Sequence, residues 1–288
     1  EAYLVDHLVK LKTKSAGTFE TAGQAEAGIP TGDAAGDAAA VEVGEAQPFF
    51  FVVKKYYPHF IHGKTLNGNP IYIEQVGAAL GNLESLTARG VGPAELARHY
   101  TLTQEFLWSA VAPQPDAKAV TIFDMAGVTA GSLAAGGGGA GVDAVRAVMA
   151  ICQEHYVERS LQIFVVNAPF WFAMPWKAIS PLLSPNTRKK VSILGTGKSA
   201  LSFGLFDPRS SPLRVQDLPP CYGGTGATPL GQSTEELELK ALVLNANECH
   251  RQKAQRVAEQ PMAQPCSAST ADSPAADRGG SPAVVSGG

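Results

Sequence analysis

The chain has 288 residues, with 23 lysines and arginines against 26 aspartates and glutamates, a formal net charge of -3 and a hydrophobic fraction of 45%. This balance lacks the basic excess typical of nucleic-acid-binding proteins, so that class of partner is not expected. No stretch approaches the roughly 18 to 20 apolar residues that a membrane-spanning helix needs, which excludes an integral helical membrane protein. The 4 cysteines form no CxxC pair, so neither a zinc ribbon nor a disulfide scaffold is predicted, and no metal or other cofactor is expected.

Composition divides the chain into a folded centre and two flanks. Residues 1–47 combine a short helical pattern with a linker rich in Ala, Gly, Glu and Asp, which cannot bury enough apolar surface to become ordered. Residues 261–288 are rich in Pro, Ser, Ala and Gly and are predicted to be a disordered tail. We therefore expect one domain over residues 48–228, followed by a C-terminal helix over residues 229–260.

The first predicted feature of the domain is a β-hairpin. Its strands, residues 59–62 and 70–76, flank the pair Asn67–Gly68, which tolerates the positive φ of a tight turn. His59 and His62 are three residues apart in the first strand, so their side chains are expected on opposite faces. A metal ion shared by these two histidines is therefore not predicted.

Strands and helices alternate through the rest of the domain. Helical spacing of apolar residues predicts helices, and short apolar runs predict buried strands. The predicted elements are a helix over residues 94–111, a strand over 120–125, a helix over 142–159, and strands over 161–167 and 191–194. This alternation is typical of an α/β domain whose sheet is covered by helices.

An aromatic and almost uncharged segment occupies residues 170–183. Its large apolar side chains are Phe170, Trp171, Phe172, Met174, Trp176, Ile179 and Leu182. The residues alone leave two interpretations open, a buried core helix and the movable wall of an apolar cavity. Ser184 then supplies a helix N-cap ahead of Pro185.

Two short motifs imitate catalytic loops. Residues 195–199 resemble the end of a phosphate-binding loop, but Ser192 stands where that motif requires a glycine. Residues 200–204 resemble the nucleophile elbow of an esterase, with Ser202 as the nucleophile and His250 as the only histidine downstream. Because His250 falls in the predicted terminal helix, a hydrolase is disfavoured but stays open as an alternative.

That terminal helix is predicted from its start. Ser233 and Glu236 have the spacing of a capping box and open a helix that runs to about Glu259. Its many charges are typical of a solvated amphipathic helix.

Several motifs, taken in order, resemble the CRAL-TRIO lipid-binding domain family, and most closely its phosphatidylinositol/phosphatidylcholine transfer branch. The resemblance covers about residues 50–224 and rests on Lys55–Pro58, Asn67–Glu74, Thr121–Gly127, Tyr156–Arg159, Phe164–Phe172, Leu183–Gly195 and Leu218–Gly224. It implies an α/β CRAL-TRIO fold in which a mixed sheet forms the floor of an apolar lipid pocket. Helices flank this pocket, and the segment after Pro169 matches the family's helical gate.

The resemblance implies a non-enzymatic carrier. Its ligand would be a single phospholipid, phosphatidylinositol first and phosphatidylcholine second, exchanged between membranes or presented to lipid-modifying enzymes. Enclosure is physically required, because about 30 methylenes at roughly 0.8 kcal/mol each would cost more than ~20 kcal/mol in water. We expect a cytoplasmic monomer that meets Golgi or other endomembranes transiently at their surface. Two alternatives are a carrier of a small apolar ligand such as tocopherol or retinaldehyde, and a lipid esterase using Ser202.

Matching the motifs residue by residue places the inositol-lipid headgroup at Glu158, Thr187 and Lys190. Thr187 also lies in the first turn of the helix opened by Ser184, where free N–H groups favour a phosphate. A structural ion pair between Glu158 and Lys190 is the alternative interpretation, and it is compatible with binding.

A second lipid subsite is matched less completely. Tyr72 and Thr121 correspond to residues that the family uses for the choline lipid. Ala119 and Gln104 stand where the family has a serine and a tyrosine.

Overall fold

The computed structural model describes residues 46–132, 151 and 154–259. Three predicted features lie outside these residues, namely the N-terminal helix and linker, most of the helix over residues 142–159, and the C-terminal tail. The strands are β1 (His59–Lys64), β2 (Pro70–Glu74), β3 (Ala119–Asp124), β4 (Ser160–Ala168) and β5 (Val191–Gly195). The helices are α1 (Phe50–Tyr56), α2 (Val76–Gly81), α3 (Leu83–Thr87), α4 (Pro93–Phe106), α5 (Ala173–Ile179), α6 (Pro185–Lys189), α7 (Lys198–Leu205) and α8 (Thr234–Glu259).

The five strands form one mixed sheet in the order β1-β2-β3-β4-β5. β1 is antiparallel to β2, and the other neighbours are parallel. The hairpin is the one that Asn67–Gly68 predicts, and Gly68 has the expected positive φ of 80°. The predicted mixed α/β architecture is thus confirmed.

One face of the sheet is closed by α7 and by the chain that leads to Tyr222. Successive strand residues point to opposite faces, so every second residue of β2, β3 and β4 lies on this side. The buried cluster consists of Ile71, Ile73, Val120, Ile122, Phe164, Val166, Leu201, Leu205, Leu213, Leu218 and Tyr222. This face of the sheet is therefore a packed core.

Helices α4 and α8 cover the β1–β2 side of that other face. A π-helical turn, Leu107–Val111, continues α4 there. The apolar side chains packed together are Phe50, Ile61, Tyr72, Leu102, Phe106, Leu107, Val111, Leu239 and Val243. Among the described residues, no helix combines the length and the apolar character needed to cross a bilayer.

The start of α8 differs from the solvated helix that the sequence predicts. Ser233 caps the helix by accepting from the N–H of Glu236 at 3.2 Å, but the Glu236 side chain is fully buried. Its carboxylate accepts from the backbone N–H of Ile61 at 3.1 Å and lies 2.8 Å from Lys54 Nζ. The Ser233 hydroxyl donates to the Ile61 carbonyl. This end of α8 therefore satisfies backbone groups on the outer edge of β1, which would otherwise be an open edge strand.

A buried pair of histidines joins α4 to β1. His59 Nδ1 lies 2.7 Å from the Tyr57 carbonyl oxygen, which can only accept, so Nδ1 carries a proton. His59 Nε2 lies 2.8 Å from His99 Nε2, and the neutral His59 ring must accept there. Burial, with Lys54 next in importance, lowers the pKa of both rings well below the usual value of histidine. The contact requires a neutral His59, and the lowered pKa of each ring favours the neutral form of both.

We expect the folded state to lose stability as the pH falls below about 6.5. The unfolded chain protonates its histidines there, whereas His59 and His99 stay neutral in the fold, so the unfolded state binds more protons. The free energy of unfolding in urea should fall between about pH 6.5 and 5 by up to ~1.4 kcal/mol per pH unit for each ring. His99→Gln should reduce this slope, and the control His155→Gln, at an exposed position, should not. Equal slopes in the wild type and His99→Gln would contradict the assignment.

Candidate functional site

The connection between β4 and β5 crosses one face of the sheet from end to end. The two strands are parallel, so the chain that leaves β4 has to return to the opposite end of the sheet before β5 begins. We call residues 169–190 the crossover segment. It runs over the face opposite α7, as shown by a cluster that joins Trp171, Phe172 and Trp176 to Phe123, Val165 and Val191. The crossover segment is therefore a roof over this face.

Beneath the roof, the strand registers align side chains in two rows. The first row is Tyr72, Thr121, Ile163 and Val191. The second row is Glu74, Phe123, Val165 and Ile193. Most of these side chains are apolar, and Ile193 at the β5 end is 40% exposed. The two rows form a largely apolar surface, partly open at β5, which we call the floor.

The residues predicted for a second lipid subsite lie side by side in the first row. Tyr72 is buried, and burial, followed by Glu74, raises the pKa of its hydroxyl well above the usual range. Thr121 is half-buried beside it. Gln104 is buried, and its Oε1 accepts from Trp108 Nε1 at 3.0 Å. The structure thus brings Tyr72 and Thr121 together and commits Gln104 to a protein contact.

The crossover segment divides its apolar side chains between the floor and the surface. Phe172 is 6% exposed and packs into the floor cluster, whereas Phe170 is 98% exposed and Met174 78%. Of the remaining predicted residues, Trp171 and Trp176 are half-buried and Ile179 lies at the surface. The side chain of Leu182 lies outside the described part. The core interpretation therefore holds for Phe172, whereas Phe170 and Met174 lie at the surface.

Glu158 and Lys190 meet at the end of the floor where β4 and β5 begin. This end lies opposite the one at which the crossover segment leaves β4. Lys190 Nζ lies 3.1 Å from Glu158 Oε2 and donates to the Ser160 carbonyl at 2.8 Å. Asn186, which no sequence pattern indicated, donates from Nδ2 to the same carboxylate oxygen at 2.7 Å. The Asn186 hydrogen bond, followed by that of Lys190, lowers the pKa of the Glu158 carboxyl below its usual range. No local sequence pattern could reveal Asn186, because its hydrogen bond to Glu158 spans 28 residues.

Glu158 is also held in an uncommon backbone conformation. Its φ is 58°, in the left-handed region that non-glycine residues seldom occupy and that often marks functional positions. Its side chain is half exposed, whereas that of Lys190 is mostly covered. The carboxylate therefore keeps accessible acceptor sites beside a fixed cation.

Thr187 lies close by, and its amide is not one of the free N–H groups expected in the first turn of α6. Ser184 caps α6 as predicted, and it does so by accepting from the N–H of Thr187 at 3.0 Å. The hydroxyls of the two residues also lie 2.9 Å apart. The amide is therefore occupied, and any part that Thr187 plays in binding falls to its hydroxyl.

The other chemistries gain no support from the geometry. Among the described residues, no group of three or more His, Cys, Asp or Glu side chains is placed to hold a metal ion. Ser202 lies in α7, and its side chain is outside the described part. His250 lies on an exposed turn of α8.

Comparison with known proteins identifies one family. The profile of the CRAL/TRIO domain matches residues 54–208. The Sec14 cytosolic factor of Schizosaccharomyces pombe is 28% identical over 192 residues, which are 64% of each chain. The SEC14 cytosolic factor of Eremothecium gossypii is 30% identical over 149 residues, 50% of this chain and 47% of that one.

A plant relative and a solved structure extend the comparison. The phosphatidylinositol/phosphatidylcholine transfer protein SFH9 of Arabidopsis thaliana is 27% identical over 164 residues, 56% of this chain and 28% of that one. The crystal structure of Sfh5 superposes with a TM-score of 0.45 and 16% identity, covering 72% of this chain and 69% of that one. The chain thus spans less than two thirds of the length of each of these three curated relatives.

The contacts of Glu158 predict how its carboxyl titrates. Asn186→Ala should raise the pKa of this carboxyl towards the usual value for glutamate, and Lys190→Gln should raise it as well, because each removes a donor to the charged form. Carbon-detected NMR titration of the side chain measures both shifts. Lys189→Gln, which removes an exposed neighbouring cation, is the control and should cause the smallest shift. A Glu158 pKa that is unchanged in Asn186→Ala would contradict the contact.

Proposed function

The chain belongs to the CRAL/TRIO domain family, and from this premise we propose that it carries a single phospholipid, most specifically phosphatidylinositol. The lipid would be exchanged between membranes or presented to lipid-modifying enzymes, without catalysis by the carrier. The observation that carries the proposal is a roofed apolar floor with a Lys190–Glu158 pair at one end and exposed apolar side chains at the other. The family was predicted from the ordered motifs, and the match of its profile confirms that prediction.

The length of β4 suits one lipid molecule. β4 has 9 residues, and eight steps of roughly 3.3 Å give a length of about 26 Å. The hydrocarbon of one leaflet is about 15 Å deep, half of a bilayer core. The strand length therefore suits an acyl chain and its headgroup laid end to end.

The polar end suits a phosphorylated headgroup. A lysine ammonium has three donors, and Lys190 directs two of them to Glu158 and the Ser160 carbonyl. The third can reach a phosphate oxygen, while the exposed side of the Glu158 carboxylate can accept from inositol hydroxyls. Tocopherol and retinaldehyde carry no phosphate, so this pair favours a phospholipid over the small apolar ligands.

Phosphatidylcholine is the second candidate ligand for the floor. Tyr72 and Thr121 are adjacent on the floor, which supports a polar contact there. Ala119 has no hydroxyl, and Gln104 is bonded to Trp108. Fewer polar side chains are thus free to bind phosphatidylcholine than to bind phosphatidylinositol.

The opposite end suits a membrane surface. Phe170 and Met174 expose apolar side chains at the point where the crossover segment begins, and such side chains favour the interfacial region of a bilayer. Two relatives are named cytosolic factors, which supports a carrier that meets membranes at their surface. We propose that the crossover segment is the gate through which the lipid passes.

Lys190→Ala should weaken transfer of phosphatidylinositol between vesicles. The lost charge-assisted hydrogen bond is worth about 1.5 to 3 kcal/mol, or roughly ten- to a hundredfold. Transfer of phosphatidylcholine should fall much less, because its proposed contacts lie elsewhere. Lys189→Ala, at the exposed neighbouring position, is the matched control and should transfer both lipids like the wild type. An equal loss for both lipids, at unchanged melting temperature, would show that Lys190 does not select the headgroup.

Phe170→Asp should reduce vesicle binding and lipid transfer without changing the melting temperature, because the ring has almost no protein contact to lose. A carboxylate there opposes insertion into the interface. Phe203→Asp is the control, since Phe203 is also exposed, at 81%, but lies on α7 at the other face of the sheet. Wild-type transfer by Phe170→Asp would remove this side chain from the membrane contact. Phe172 is unsuitable for the test because it is part of the core.

A further inference from the structure

The crossover segment is tied to the sheet at its root by one buried carboxylate. Asp124, at the end of β3, is 7% exposed. Its Oδ1 accepts from the Asn167 side-chain amide at 2.8 Å and from the Ala126 N–H at 2.9 Å. Its Oδ2 accepts from the Tyr222 hydroxyl at 3.0 Å. Three neutral donors from three separate parts of the chain thus converge on Asp124.

Asn167 is the last polar residue before the crossover segment, and its backbone is strained. Its φ is 54°, a conformation that asparagine tolerates better than most residues but that still costs energy. The strand register is also interrupted between Val165 and Ala168. The hydrogen bond from Asn167 to Asp124 is thus made within this irregularity, two residues before the crossover segment begins.

Tyr222 connects the same carboxylate to the C-terminal part of the domain. The ring is buried in the core, and burial, followed by Asp124, raises the pKa of its hydroxyl. Gln75, which precedes α2, acts on this hydroxyl in the opposite direction and lowers its pKa. Gly77, two residues after Gln75, packs closely on the turn after β3. A Cβ atom at this position would collide with the Ala126 carbonyl oxygen. Asp124 is therefore held from several sides.

We propose that Asp124 is a positioning residue that anchors the crossover segment through Asn167 and Tyr222, and that this anchor sets how often the segment opens from the floor. Asp124 lies beyond the carboxyl end of the floor and need not touch a ligand. This role rests on the proposed function, because the segment that Asp124 anchors is the proposed gate. Carboxylate hydrogen bonds are among the stronger ones in proteins, so loss of one donor shifts the opening equilibrium measurably.

Hydrogen exchange of the full chain tests the anchor through three variants. Asn167→Gly removes the amide and accepts the positive φ without strain, and Tyr222→Phe removes only a hydroxyl. Tyr57→Phe is the matched control, because the Tyr57 hydroxyl also donates to a carboxylate, that of Glu74 on β2, two strands away from Asn167. Amides of residues 171–180 should exchange roughly ten- to a hundredfold faster in Asn167→Gly, and faster than the wild type in Tyr222→Phe. Amides of α4 should show no comparable acceleration of exchange.

Two outcomes would overturn the anchor. One is exchange of residues 171–180 at the wild-type rate in both Asn167→Gly and Tyr222→Phe. The other is an equal acceleration in α4 or in the Tyr57→Phe control, which would indicate general destabilisation. Phosphatidylinositol transfer by the same variants tests the proposed function separately, since faster opening with unchanged transfer would contradict the gate and leave the anchor intact.

Discussion

The parallel pairing of β4 with β5 determines the path of the crossover segment. Two parallel neighbours cannot be joined by a tight turn, so the connecting chain has to travel the length of the sheet. Here it returns across the face that α7 leaves free, because the opposite face is already filled by the core around Phe164 and Tyr222. A roof over an apolar floor follows from this topology, and the two ends of the roof necessarily lie at opposite ends of the strands.

Two ion pairs of similar length have different consequences because their burial differs. Lys54 and Glu236, 2.8 Å apart, are almost fully removed from solvent. Burial is also the main reason why the pKa of Lys54 is lowered. Separation of such a pair leaves an uncompensated buried charge, so its role is structural. Glu158 and Lys190, 3.1 Å apart, form a partly exposed pair that adds little to stability and stays accessible to a ligand.

Local signals predicted the parts of the fold that depend on neighbouring residues. Asn67–Gly68 predicted the hairpin and Ser184 predicted the start of α6, because each acts within a few residues of itself. The different positions of Phe170 and Phe172 were not predictable, since both belong to one apolar run and only the sheet decides which is covered. Contacts such as Asp124 with Tyr222, 98 residues apart, have no periodic signal. The burial of Glu236 was missed for the same reason, as its partners lie on α1 and β1.

Enclosure of one phospholipid molecule is the central function proposed for this fold. Native mass spectrometry of the purified full chain, followed by identification of the released ligand, tests it most directly. We expect a complex of one chain with one phospholipid, in which phosphatidylinositol is the main species. Recovery of a small apolar molecule such as tocopherol or retinaldehyde in its place would contradict this function, as would a chain that stays lipid-free after incubation with phosphatidylinositol vesicles.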